Sequence, residues 1–148
     1  MVKLFVAVFL FAFILSTSEA CSCTPENPQR SLKIYCSADL VAEITVFDTQ
    51  PFGGNFYEFS INYTTVYKMP TKFNETYPTK IYSNQQSSAC GMKLPHNLDI
   101  IVVGNINEYN TFGPKGEIGI AMCSYLDAEF KESLKNGTFI NCSELKNV

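Results

Sequence analysis

Histidine, tryptophan and clustered charge are the scarce features of this 148-residue chain. It contains one histidine and no tryptophan, and its 11 basic and 14 acidic side chains give a net charge of −3. No block of like charge interrupts the sequence, so neither a polybasic arm nor an acidic tail is predicted. Because nucleic-acid binding depends on lysine and arginine that neutralise phosphates, this composition gives no electrostatic basis for a nucleic-acid partner.

Long apolar runs are confined to the amino terminus. Lys3 is followed by the twelve apolar residues 4–15 and then by a short polar segment that ends at Ala20. This order of charged start, apolar core and small-residue cleavage site is typical of a secretory signal. Twelve residues span about 18 Å as a helix, less than the roughly 30 Å of a bilayer core. Residues 1–20 are therefore predicted to be a signal peptide, and residues 21–148 a secreted, extracellular protein without a membrane span.

Six cysteines follow the predicted cleavage site, at Cys21, Cys23, Cys36, Cys90, Cys123 and Cys142. An even number in an oxidising compartment predicts three disulfides, although six cysteines allow 15 pairings and their spacing does not choose among them. A structural zinc site that uses Cys21 and Cys23 is the alternative. Only His96 could join them and no second close cysteine pair completes a four-ligand set, so disulfides are favoured.

Four Asn-x-Ser/Thr sequons support the same extracellular interpretation. They are predicted glycosylation sites at Asn62, Asn74, Asn136 and Asn141.

Apolar alternation predicts a mainly β protein. Strands are expected over residues 40–47, 56–68, 80–83, 99–104 and 118–122. In the second of these, Tyr63 and Thr65 are expected on the core face and Glu58 and Asn62 on the opposite face. A break over residues 50–55 predicts a hairpin.

Two helices are predicted at the ends of this strand-rich region. The first begins with Asn27 as its cap and Pro28 at its first position. The second carries Leu126, Phe130 and Leu134 on one face. Five uneven strands with little helix indicate a small closed or partly open barrel.

No catalytic motif is evident in the sequence. His96 lies in a predicted loop, no flanking motif marks a nucleophile for it, and the cysteines are expected to be oxidised. Scattered carboxylates leave a small extracellular hydrolase as a remote alternative, because glycosidase pairs have no local signature. We therefore do not expect an enzyme.

The start of the predicted mature chain resembles that of the tissue inhibitors of metalloproteinases. Cys21-Ser22-Cys23-Thr24-Pro25 matches the Cys-x-Cys opening of the family, and Asn27-Pro28-Gln29 stands where the family has His-Pro-Gln. Further matches follow in the order of the family, at Cys36, Val66-Tyr67-Lys68, Ala89-Cys90-Gly91, residues 101–104 and Cys123-Ser124-Tyr125.

The resemblance implies a fold and a disulfide pattern. The fold is the netrin-like domain, a five-stranded OB-fold barrel with flanking helices, here over residues 21–148. The implied disulfides are Cys21–Cys90, Cys23–Cys123 and Cys36–Cys142. The implied architecture agrees with the barrel predicted from apolar alternation.

The resemblance also implies a function, which is inhibition of zinc metalloproteinases. In this mechanism the α-amine and carbonyl of Cys21 bind the catalytic zinc of the target protease, and the inhibitor is a monomer with no cofactor of its own. The expected protease-contacting residues are Cys21, Ser22, Cys23, Thr24, Ser88, Ala89 and Cys90.

Several features depart from the vertebrate pattern of the family. The interval from Cys21 to Cys36 is longer, the loop 49–55 is short, and the chain ends six residues after Cys142. The second domain of the family is therefore expected to be absent, as in single-domain invertebrate members. The alternative function is a non-inhibitory secreted binding module on the same scaffold, with an immunomodulatory role or a matrix or cell-surface receptor partner.

Overall fold

The structure is a computed structural model that describes residues 21–143 except Glu26 and Asn74. The predicted signal peptide, residues 1–20, and the predicted sequon at Asn74 lie outside the described residues. Within the described part, none of the helices has the length and apolar character needed to cross a membrane.

Five strands form a closed barrel, which confirms the predicted fold class. Their bounds are β1 Leu40–Phe52, β2 Phe56–Lys68, β3 Lys80–Asn84, β4 Asp99–Ile106 and β5 Ile118–Ile120. Around the barrel they follow the order β1-β2-β3-β5-β4, and β4 closes against β1. All neighbours are antiparallel except β3 and β5. The architecture is consistent with the netrin-like OB-fold.

Among the described residues two α-helices flank the barrel, α1 over Pro28–Ser37 and α2 over Ala128–Lys135. The Asn27 side chain caps α1 by accepting a 2.8 Å hydrogen bond from the Arg30 N–H, and Pro28 opens the helix as predicted. Asp127 caps α2 in the same way through the Phe130 N–H. Both caps satisfy N–H groups that a helix start leaves without an intrahelical partner.

The apolar side chains form two clusters. The barrel interior is filled by residues that include Ile44, Phe59 and Ile61, all at most 2% exposed. A second cluster lies between the outside of β1 and β4 and the two helices, and its buried members are Ala38, Val41, Val103, Leu126, Phe130 and Leu134. The predicted apolar face of the last helix is therefore the face that covers the barrel.

The β1–β2 hairpin differs from the sequence prediction at both ends. β1 extends to Phe52, and the turn occupies only residues 53–55, because Gln50 and Pro51 pair with β2 rather than break the strand. Near the other end Glu43 pairs with Thr65 while Ile44 pairs with Tyr63, which leaves one extra residue in β2. This bulge reverses the alternation. Thr65 is therefore exposed, and the prediction that it shares the core face with Tyr63 is wrong.

Glu58 lies on the outward face of β2 and is nevertheless only 2% exposed. Its carboxylate accepts hydrogen bonds from Lys80 Nζ at 2.6 Å, Gln50 Nε2 at 2.7 Å and Tyr82 Oη at 3.0 Å. Burial raises the pKa of Glu58, but these three hydrogen bonds and the charge of Lys80 outweigh it and hold the pKa below its ordinary value. Asn62, further along the same face, is exposed as predicted.

Candidate functional site

Three disulfides join distant parts of the chain. They are Cys21–Cys90, Cys23–Cys123 and Cys36–Cys142, with sequence separations of 69, 100 and 106. This is the pairing that the family resemblance implies. The alternative zinc site at Cys21 and Cys23 is excluded, because a metal would need thiolates and all six cysteines are oxidised.

Two of the three disulfides bring the predicted protease-contacting residues together. Residues 21–24 lie beside residues 88–90, and we call these two segments the amino-terminal ridge. Cys21 and Cys23 are half-buried, whereas Ser22 and Thr24 between and after them are exposed. On the second segment Ser88 is exposed and Ala89 half-buried. Crosslinks on both sides of Ser22 restrain a segment that would otherwise fray.

The second segment of the ridge has a tightly turned backbone. Ser87–Ala89 form a single 3-10 turn, and Cys90 follows in the left-handed conformation with φ +56°. The next residue, Gly91, packs so closely on β3 that an added Cβ would lie 2.0 Å from the Asn84 carbonyl oxygen. Only glycine fits this approach. This close approach of Gly91 to β3 therefore determines the position of the preceding residue, Cys90, relative to the barrel.

A buried serine links this segment to the barrel. Ser83 in β3 is fully buried, and its hydroxyl donates to the Ile120 carbonyl and accepts from the Met92 N–H, both at 3.0 Å. Beyond Ile120, the Met122 N–H donates a 2.8 Å hydrogen bond to the Cys90 carbonyl. β3, β5 and the segment after Cys90 are therefore held together next to both disulfides of the ridge.

The other side of the ridge is linked to the helices. Arg30 in α1 donates a 2.7 Å hydrogen bond from Nη2 to the Cys123 carbonyl. Ser31, also in α1, is buried and accepts from the Asp127 N–H at 2.8 Å. The Ser31 hydroxyl is the main cause that lowers the pKa of Asp127, aided by the Phe130 N–H and opposed by burial. The carboxylate is thus held in its charged form at the start of α2, where the helix dipole favours it.

The ridge itself carries no charge. Residues 21–25 and 86–92 contain no acidic, basic or histidine side chain. The polar groups of these residues are hydroxyls and amides. Such groups can hydrogen-bond to a partner but do not act as general acids or bases near neutral pH. The single histidine, His96, is exposed and its Nε2 contacts the Thr49 hydroxyl at 2.7 Å.

The predicted glycosylation sites within the described residues lie at the surface. Asn62 is exposed on β2, Asn136 directly follows α2, and Asn141 lies beside Cys142. All three asparagines are exposed, as glycosylation requires.

Sequence reasoning missed the residues that position the ridge. Ser83 belongs to a short strand whose pattern gives no sign of a buried hydrogen-bonding role. Arg30 resembles any surface arginine of a helix. Gly91 offers a usable signal, because a glycine directly after a disulfide cysteine is a candidate for close backbone approach.

Comparison with known proteins identifies relatives of one kind. A family model described as tissue inhibitor of metalloproteinase matches residues 19–135. The human and rat proteins named metalloproteinase inhibitor 2 are each 26% identical to this chain over 136 residues, and the dog protein of that name is 25% identical. Each alignment covers 84% of this chain and 56% of the relative, so the chain spans about half the length of the relatives it matches.

Proposed function

Because this chain belongs to the tissue inhibitor of metalloproteinase family, we propose that it is a secreted inhibitor of zinc metalloproteinases and not itself an enzyme. The observation that carries the proposal is the amino-terminal ridge, in which Ser22 and Thr24 are exposed between and after two disulfide-bonded cysteines. A crosslinked segment with exposed hydroxyl side chains and no charged side chain is suited to enter a protease cleft.

Signal cleavage after Ala20 creates the reactive end of the inhibitor in this proposal. The exported domain then begins at Cys21 and acts as a monomer, with its new α-amine next to the Cys21–Cys90 disulfide. A terminal amine has a pKa of about 7.7–8.0, so its unprotonated form is accessible at neutral pH at small cost.

The α-amine and carbonyl oxygen of Cys21 bind the zinc of the target protease in this mechanism. A catalytic zinc keeps one coordination position open for water or substrate, and a five-membered chelate from one residue fills it. Ser22 then enters the primed-side specificity pocket, and Thr24 extends along the cleft. Ser88, Ala89 and Cys90, which are linked to Cys21 by the disulfide, flank the cleft.

Rigidity before binding supports this mechanism. The two disulfides, Gly91 and the Ser83 hydrogen bonds define the position of the ridge in the isolated protein. Ordering a mobile segment during association costs about 0.5–1.5 kcal/mol for each immobilised side chain. A preformed ridge avoids most of that cost.

A non-inhibitory binding module with a matrix or receptor partner is the second candidate function. An open groove beside β4, which shares no residue with the ridge, is the observation that favours it. In this case blocking the ridge leaves partner binding unchanged.

Selective carbamylation of the α-amine tests the inhibitory proposal. Near pH 7 this amine reacts before the lysines, because its pKa is about 2–3 units lower. Protein beginning at Cys21 is assayed against a panel of matrix metalloproteinases before and after modification, and mass spectrometry of the amino-terminal peptide verifies the site. We expect inhibition that disappears with carbamylation. Inhibition that survives complete carbamylation of Cys21 overturns the proposed mechanism.

A further inference from the structure

Strand β4 is paired unequally along its two sides. On one side residues 99–104 pair with residues 40–45 of β1. On the other side β5 pairs only with residues 104–106. Residues 100–103 therefore have a strand partner on one side and none on the other.

The path of the chain after β5 explains the open side. β5 ends at Ile120, and two residues later the Met122 N–H donates to the Cys90 carbonyl. Cys123 then forms its disulfide with Cys23. Residues 121–123 therefore turn toward the amino-terminal ridge instead of extending β5 beside β4.

A groove of about 560 Å³ occupies the space that β5 leaves uncovered. It is lined by the open side of β4, the segments 92–95 and 120–125 and helix α2, and its lining includes the buried residues Leu94 and Val103. Grooves of roughly 300–1,000 Å³ hold drug-sized ligands. This one is large enough for a short length of polypeptide.

The backbone of the open side lacks partners within the described residues. In an antiparallel pair the N–H and C=O groups of every second residue point away from the neighbouring strand. No backbone hydrogen bond joins residues 100–103 to the segments 92–95 and 121–125 or to α2 in the described part of the chain. The groups that point away from β1 therefore face the groove, and an extended peptide is the ligand whose own backbone pairs with them.

Three acidic and three basic side chains line the groove, so its net charge is zero, and their existing contacts determine which of them are free to bind a ligand. Glu43 pairs with Lys135 at 2.9 Å, and both Thr45 and Thr64 donate hydroxyl hydrogen bonds to Asp99. Glu132 likewise accepts a 3.3 Å hydrogen bond from the Asn136 side-chain amide.

The two remaining charged residues are lysines. Lys93 and Lys131 have no ion pair or side-chain hydrogen bond among the described residues. Carboxylates of a ligand are therefore the groups that can form new ion pairs with the side chains of this groove.

We propose that the open side of β4 binds an extended segment of a partner protein by strand addition, and that the segment alternates aliphatic with acidic residues. Its backbone pairs with residues 100–103. Its aliphatic side chains contact apolar residues of the lining, and its carboxylates pair with Lys93 and Lys131. This site is independent of the ridge and does not require zinc chelation.

Peptide probes test the backbone requirement. The probe is fluorescein-labelled Val-Glu-Val-Glu-Val-Glu, and its binding is followed by fluorescence anisotropy with the full exported domain. Two further probes carry N-methyl groups on all Val or on all Glu amides. Strand addition uses only one of these two sets, so we expect one methylated probe to bind about tenfold more weakly or worse and the other to bind normally. Equal binding of both methylated probes, or no binding of the parent probe, overturns the proposal.

Two variant pairs locate the site on the protein. Ala128 lines the groove from α2 and is exposed, so Ala128→Trp fills the groove, whereas Glu129→Trp adds the same side chain one residue away. Lys131→Ala, with exposed Lys33→Ala in α1 as its control, tests the charge. We expect Ala128→Trp and Lys131→Ala to weaken probe binding and both controls to leave it unchanged, with equal circular dichroism throughout. Unchanged binding by Ala128→Trp contradicts the assignment of the site.

Discussion

The Sγ atom of Cys21 lies 3.4 Å from the Sγ atom of Cys123, although the two residues belong to different disulfides. The crosslinks on either side of Ser22 therefore form one sulfur cluster, which also contains Cys23. Arg30 and Met122 hydrogen-bond backbone carbonyls of two of the cysteines in these crosslinks. The two disulfides and these two hydrogen bonds therefore join the amino-terminal ridge to the barrel and to helix α1 in one small region.

Removal of the Cys23–Cys123 disulfide is expected to weaken inhibition more than its effect on the stability of the fold explains. In the double variant Cys23→Ser with Cys123→Ser, Thr24 loses its nearby crosslink, and ordering the segment on binding costs more. We expect inhibition to weaken by about tenfold or more. Inhibition constants are measured below the unfolding temperature of the variant, which circular dichroism provides.

The matched control is Cys36→Ser with Cys142→Ser. Its crosslink closes an interval of 106 residues, against 100 for the ridge disulfide, so the chain-entropy contribution of each is similar, about 4–5 kcal/mol. We expect comparable losses of stability and much stronger inhibition by the control. Equal weakening of inhibition in both double variants would show that the ridge has no special role.

Ser83→Ala is expected to act on the ridge from a distance. The change leaves the Ile120 carbonyl and the Met92 N–H without their buried partner, which costs about 1–3 kcal/mol. We expect a lower free energy of unfolding in urea and weaker inhibition, because Met92 follows Cys90 closely. The control Ser37→Ala removes an exposed hydroxyl at the end of α1 and is expected to change neither quantity. Wild-type stability in Ser83→Ala would contradict the role assigned to this hydroxyl.

Glu58→Gln is expected to lower stability in a pH-dependent way. The folded pKa of Glu58 lies below its ordinary value of 4.5, so the carboxylate stabilises the fold above that pH, and this contribution is lost as the pH falls through the folded pKa. The variant should therefore be less stable than wild type at pH 7, and the difference should shrink below about pH 4.5. Urea unfolding across this pH range measures the difference, with exposed Glu75→Gln as the control. A pH-independent difference for Glu58→Gln would contradict this account of the buried carboxylate.

The features that the sequence predicts well are those that depend on neighbouring residues. Asn27 and Pro28 start a helix through their own cap and ring, and the four-residue spacing of Leu126, Phe130 and Leu134 specifies one face. Strand alternation correctly identified β2 because one side of it faces the barrel interior. The disulfide pairing, in contrast, came only from resemblance, since spacing does not select one of the 15 possibilities.

The features that the sequence did not predict depend on contacts between distant segments. The extra residue in β2 is set by its register with β1, and Glu58 is buried because Lys80 and Tyr82 of β3 approach it. Ser83 acts on β5, which lies 37 residues away in the chain. No local sequence pattern encodes such contacts. The residues that position the amino-terminal ridge are therefore visible only in the structure.

The most direct test of the account is to place one alanine before Cys21. The added residue converts the α-amine of Cys21 to an amide, whose nitrogen has no lone pair available for a metal, and it leaves every disulfide and buried contact unchanged. Both forms are assayed against the same matrix metalloproteinase, after amino-terminal sequencing and matching circular dichroism spectra. The account predicts that the extended form does not inhibit at concentrations where the form beginning at Cys21 inhibits fully. Equal inhibition by the two forms would contradict it.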